Sequence, residues 1–63
     1  MSPITGGVYI IEYWDDSDML QVFRGVCTCE QPLENGCFVF EVEGEEMEVR
    51  ANEIVREITR ELA

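Results

Sequence analysis

Apolar and polar positions alternate most cleanly between Cys37 and Ala51, in the run CFVFEVEGEEMEVRA. Phe38, Phe40 and Val42 fall on one side of an extended chain and Val39, Glu41 and Glu43 on the other, the period of two of a half-buried strand. Gly44-Glu45 supplies a two-residue turn with glycine first, as a type II′ hairpin prefers. That turn sets Val42 against Met47, Phe40 against Val49 and Phe38 against Ala51, so the apolar sets of both strands share a face. The opposite face then carries Glu43 against Glu46 and Glu41 against Glu48, with Arg50 diagonal to Glu41. Like charges directly across a ladder destabilise it, so this wall of carboxylates is either a solvated face of an acid-rich protein or a binding feature.

Upstream, Val8 to Trp14 is β-branched and aromatic, with Tyr9, Ile11 and Tyr13 on one side and Val8, Ile10, Glu12 and Trp14 on the other. Both sides are largely apolar, which predicts a central or barrel strand. Asp15-Asp16-Ser17-Asp18 follows as a turn. Met19 to Glu30 reads as a long second strand, Leu20 and Val22 on one side and Phe23 on the other, its phase broken at Arg24-Gly25 as at a bulge or sharp bend. Gln31 to Gly36 is a loop in which Pro32 ends the ladder and Asn35-Gly36 signals a type I′ turn. Residues 1–7, with Pro3, Gly6, Gly7 and no periodicity, predict a flexible N-terminal arm. This leaves 8–63 as a single small domain.

The tail from Asn52 supports two readings. As a helix it has Asn52 as cap, an apolar stripe of Ile54, Val55, Ile58 and Leu62, and Glu53–Arg56 and Glu57–Arg60 pairs at i,i+3. As a strand, Ile54, Arg56 and Ile58 alternate. Stripe and length favour the helix. Its apolar stripe is most simply core, with a homodimer seam as the rival. The expected fold is therefore mainly β or α+β: a four- to five-strand antiparallel meander with a C-terminal helix. In layout it resembles a small SH3-like or Sm-like barrel. The paired tryptophans and the proline-tyrosine of the peptide-binding SH3 family are missing, so no binding residue carries over.

Sixty-three residues bury only about 60% of their unfolded surface, so stability is marginal without a partner, a metal, a disulfide or supporting salt. The net charge is −10, and nine of the fourteen acids sit in two stretches, Glu12–Asp18 and Glu41–Glu48. Such a surface repels nucleic acid and anionic lipid and draws in basic proteins. All four basic residues are arginine, which fits a high-salt cytoplasm or a GC-rich genome. No apolar run approaches about 18 residues and no signal pattern opens the chain, so the expectation is a soluble cytoplasmic protein with no membrane partner.

Three cysteines and no histidine bound the metal chemistry. Cys27-x-Cys29 puts two thiols on one strand face and Cys37 opens the next strand, yet zinc wants four ligands. Small buried apolar residues are the simpler reading, and a disulfide from Cys37 to one of the pair comes next. Asp16-Ser17-Asp18 begins like a calcium loop but lacks its glycine and closing glutamate. No phosphate loop, nucleophile elbow or histidine site is present, and a chain this small offers paired glutamates little concavity. The expectation is a protein that is not an enzyme and needs no cofactor.

The sharpest functional reading concerns Glu41, Glu43, Glu46 and Glu48, joined by Asp15, Asp16 and Asp18. Carboxylates alternating along a strand recur at about 6.6 Å, close to the spacing of successive phosphates. A protein that grips DNA through arginine and lysine would accept such a surface. The chain is similar, in size and charge only, to the acidic decoys that phages and mobile elements use against defence enzymes. The expected partner is thus a basic surface of a nucleic-acid-processing protein, with no nucleic acid bound directly. Trp14 and Tyr13 beside the acidic turn offer an aromatic contact to a basic or proline-containing peptide. The alternatives are a halophile's acidic adaptor or subunit binding through its apolar face and, more weakly, a zinc or thiol site at the cysteines.

Overall fold

The computed structural model describes residues 2–62; Met1 of the expected arm, Ala63 at the end of the domain and the Leu62 side chain of the expected stripe lie outside the described part. Five antiparallel strands, β1 (Val8–Trp14), β2 (Leu20–Cys27), β3 (Phe38–Val42), β4 (Glu45–Val49) and β5 (Ile54–Glu57), form one sheet in the order β4-β3-β2-β1-β5. Four strands follow as a meander and the fifth returns beside the first, which makes β1 an interior strand paired on both edges, as its two apolar sides predict.

One core lies on the inner face. Tyr9 and Ile11 of β1, Cys27 of β2, Phe38, Phe40 and Val42 of β3, Val49 of β4 and Ile54 of β5 all belong to it. Val49 and Ile54 come from the two outermost strands, so the sheet must curl until its ends share a core. Tyr9 meets Phe40 edge to face at 5.8 Å across the intervening β2, which the same curl requires. Ile11 and Phe40 are wholly buried, and burying a side chain of that size is worth about 1.5–3 kcal/mol. The curl stops short of closure. Among the described residues no ladder joins β4 to β5, so the expected closed barrel is corrected to an open sheet.

The expected C-terminal helix is also absent from the described residues. A 3-10 turn at Ala51–Glu53 leads into β5, and a second 3-10 turn spans Thr59–Leu62. Ile54 and Ile58 are buried, as either reading would have them, but Val55 of the expected stripe is 45% exposed, and β5 covers the edge of β1 that would otherwise stand unpaired. Tertiary pairing of β-branched residues outweighs a helical stripe only a few turns long. Asn52 lies inside the first turn, whose cap is Arg50, with the Arg50 amide donating to Glu53 Oε1 at 2.8 Å.

The β3–β4 hairpin keeps its expected faces and changes its register. Phe38 opposes Val49, Phe40 opposes Met47 and Val42 opposes Glu45, two residues tighter than Gly44-Glu45 would set it. The turn is Glu43-Gly44, with φ of 52° and 83°. Positive φ at both central residues marks a type I′ turn, whose twist matches that of the flanking strands. A slip of two preserves the side on which every residue falls. In the preceding loop, Gly36 alone has positive φ, and its amide closes a turn onto the Leu33 carbonyl at 2.8 Å, so Asn35-Gly36 is not a type I′ pair.

The expected break at Arg24-Gly25 is not a bulge, because β2 pairs with β1 in unbroken register from Val26 back to Leu20. The glycine serves close approach instead: a Cβ there would stand 3.0 Å from both Ile11 Cδ1 and Val42 Cγ2. Residues 4–7, predicted to be part of a loose arm, are hydrogen-bonded alongside the end of β2. Gly6 donates to the Cys27 carbonyl at 2.8 Å, the Cys27 amide donates to the Gly7 carbonyl at 2.9 Å, and Ile4 donates to the Tyr9 hydroxyl at 2.8 Å.

Candidate functional site

Glu41 on β3 and Glu46 on β4 face each other directly on the outer side of the sheet. Glu48, two residues on from Glu46, opposes Val39 and accepts a 2.9 Å hydrogen bond from Asn35 Nδ2. All three are exposed, and the only ion pair among the described residues joins Arg56 to Glu61, at 2.7 Å. Arg50, expected diagonal to Glu41, therefore neutralises none of them. Glu43 leaves the expected wall and sits at the hairpin tip with Gly44. The strand pair thus presents three unneutralised carboxylates on one face with a fourth at the turn.

The second acidic stretch is built differently. Asp15 Oδ1 accepts the amides of Ser17 at 2.8 Å and Met19 at 3.0 Å, while its Oδ2 accepts Gln21 Nε2 at 2.8 Å. These donors, Met19 first and Gln21 next, hold the Asp15 carboxyl below its ordinary value. Its oxygens are committed to the turn rather than offered outward. Asp16 and Asp18 remain exposed, Asp18 with φ of 59°. Both acidic turns project from the same end of the sheet, with the β1–β2 hairpin reaching further. A single decoy surface needs the two sets to adjoin, and the outer face of β2 sets Leu20, Val22 and Arg24 between them. They form two patches.

Trp14 is 68% exposed on the outer face, opposite Leu20. Tyr13 turns inward and stacks on Phe23 with centroids 5.4 Å apart, so the expected aromatic contact falls to Trp14. Trp14, Glu12, Leu20, Val55 and Glu53 line a shallow groove of about 450 Å³ between the hairpin and the first 3-10 turn. Sequence reading does not single out this outer apolar surface, to which Val22 and Val26 also belong. Its signal is present in the two apolar sides of Val8–Trp14.

The three cysteines are free thiols, with Cys27 and Cys29 adjoining at the edge of the core. Cys27 is buried in the core and its Sγ donates to the Cys29 carbonyl at 3.5 Å. Burial pushes the Cys27 thiol up from its ordinary value. Cys29 lies beyond the end of β2 and its sulfur accepts the Val39 amide at 3.2 Å. Among the described residues no three histidine, cysteine or acidic side chains gather as a metal would need. Among them, too, no helix is long and apolar enough to cross a membrane.

Comparison of the chain with protein-family models, with curated proteins and with solved structures returns no match.

Proposed function

We propose that the protein is a non-enzymatic acidic binding module whose β3–β4 face docks on a basic, nucleic-acid-binding surface of a partner protein and blocks or tethers it. The observation that carries this reading is the set Glu41, Glu46 and Glu48, exposed on one strand face without an ion-pair partner among the described residues. Directly opposed carboxylates weaken a hairpin, and a cationic partner would relieve that repulsion on binding. Glu46 and Glu48 repeat at about 6.6 Å along the strand, a spacing that guanidinium and ammonium groups placed for phosphates can follow. Glu43 at the tip extends the patch; Asp16 and Asp18 would make a second, separate contact. The scaffold is read as an SH3-like layout left unclosed, a rigid sheet that holds the carboxylates at fixed intervals.

The test is capture from a host lysate at low salt, elution along a salt ladder, and competition by duplex DNA. Basic nucleic-acid-processing proteins should elute as salt rises and should be displaced by DNA. Reversing Glu41 and Glu48 to arginine should abolish the capture. Unchanged binding by that double variant would refute the reading.

A further inference from the structure

The outer face of β1, β2 and β5 is apolar, open and less acidic than the β3–β4 face. Cross-strand register arranges it in rows: Leu20 beside Trp14, Val22 beside Glu12, Arg24 beside Ile10 and then Arg56, and Val26 beside Val8. Leu20 is 45% and Val22 55% exposed, figures high for side chains of a packed sheet. In a chain of net charge −10, the rows themselves hold one carboxylate, Glu12, and two guanidiniums, Arg24 and Arg56, with Glu53 at the rim of the Trp14 groove and Glu61 paired to Arg56. Repulsion between two copies is therefore least here, and the pattern complements itself.

We propose that two copies of this chain dimerise through this face, about a two-fold axis that runs across the strands between the Glu12 row and the Ile10 row. Successive rows lie about 6.6 Å apart. The rotation lays Trp14 on the partner's Val8 and Leu20 on the partner's Val26. It sets Glu12 over the partner's Ile10, between the partner's Arg24 and the partner's Arg56. Each contact occurs twice, as an isologous interface demands. The exposed Arg56–Glu61 pair is the sort of surface bridge that exchanges partners at little cost. Glu41 borders the interface beside Val26, whereas Glu46 and Glu48 lie one strand further out, so the Glu12–Arg24 exchange and capture of a basic partner are read separately.

Sedimentation over roughly micromolar to hundreds of micromolar protein should show the mass double, a range suited to a small interface. The emission of Trp14, the only tryptophan, should shift to the blue with the same midpoint. The decisive variants are Glu12→Arg and Arg24→Glu, both exposed or half-exposed and read alongside circular dichroism to show that each remains folded. Each alone puts like charges together twice and should weaken the dimer about tenfold or more. Mixed in equal amounts they should restore it. The guanidinium introduced at position 12 of one chain then meets the carboxylate introduced at position 24 of the other, and the native Glu12 and Arg24 that remain also pair. Wild-type protein that stays monomeric throughout, or folded variants that fail to recover when mixed, would overturn the proposal.

Discussion

At Gly25 a single missing methyl group decides how closely β2 approaches the core. Ile11, Val42 and Phe40 all come within 3.2 Å of where a Cβ would stand. Gly25→Ala should lower stability by about 1–3 kcal/mol, the usual cost of overpacking, measurable by urea denaturation. Asp15 is a residue of a different kind, half-buried and anchored by three donors. Its folded-state value is depressed, so its contribution is present above the ordinary value of 3.8 and is lost as pH falls through the lower folded value. The amide protons of Ser17 and Met19 should titrate together with a midpoint below 3.8 by NMR; a midpoint above it would contradict the turn. Cys27 works in the opposite sense. Its thiol is raised by burial, so stability is whole below the ordinary value of 9.0 and falls as pH climbs through the higher folded value. Iodoacetamide at mildly alkaline pH should therefore label Cys37 well before Cys27, as peptide mass spectrometry would show.

Among the elements, the β3–β4 hairpin and the tail show what sequence pattern can and cannot carry. The faces of β1, β2, β3 and β4 are legible because alternation survives any even slip of register. The turn is not, because glycine at position 44 serves a type I′ turn as its second residue as readily as a type II′ turn as its first. Only strand twist separates the two. Glu43 sits at φ 52°, where asparagine is at home and glutamate is not. Glu43→Asn should raise the melting temperature, by roughly 0.5–1 kcal/mol of stability. The tail misleads for a related reason. Its apolar spacing suits a helix, but the unpaired edge of β1 that rewards a strand is invisible until the sheet exists. The candidate site is partly legible: Glu41, Glu46 and Glu48 share a face as expected, whereas Glu43 and Asp15 are absorbed by the turns they build. Cys27 and Cys29 stay side by side as their spacing suggests, although β2 ends at Cys27 and only the first belongs to the strand.

For the whole molecule, the arrangement of charge follows the arrangement of edges. β4 and β5 terminate the sheet, and each leaves one row of backbone donors and acceptors without a strand beside it among the described residues. On β4 that open row belongs to a segment in which Glu45, Glu46 and Glu48 are interspersed with Met47 and Val49. Stripped of its charge, such a segment is a template on which further strands stack without limit. The carboxylates are thus also a kinetic guard against fibril growth, whatever else they bind. The guard is weakest where the molecule carries no net charge, and the isoelectric point of the sequence lies near 4.1. Incubated there, the protein should form thioflavin-positive fibres that it does not form at neutral pH, and the double variant Glu46→Val, Glu48→Val should form them at neutral pH without acid. A strand that must stay soluble at its edge and the wall of like charge along it are then one and the same solution, and acidic surroundings would be this protein's hazard.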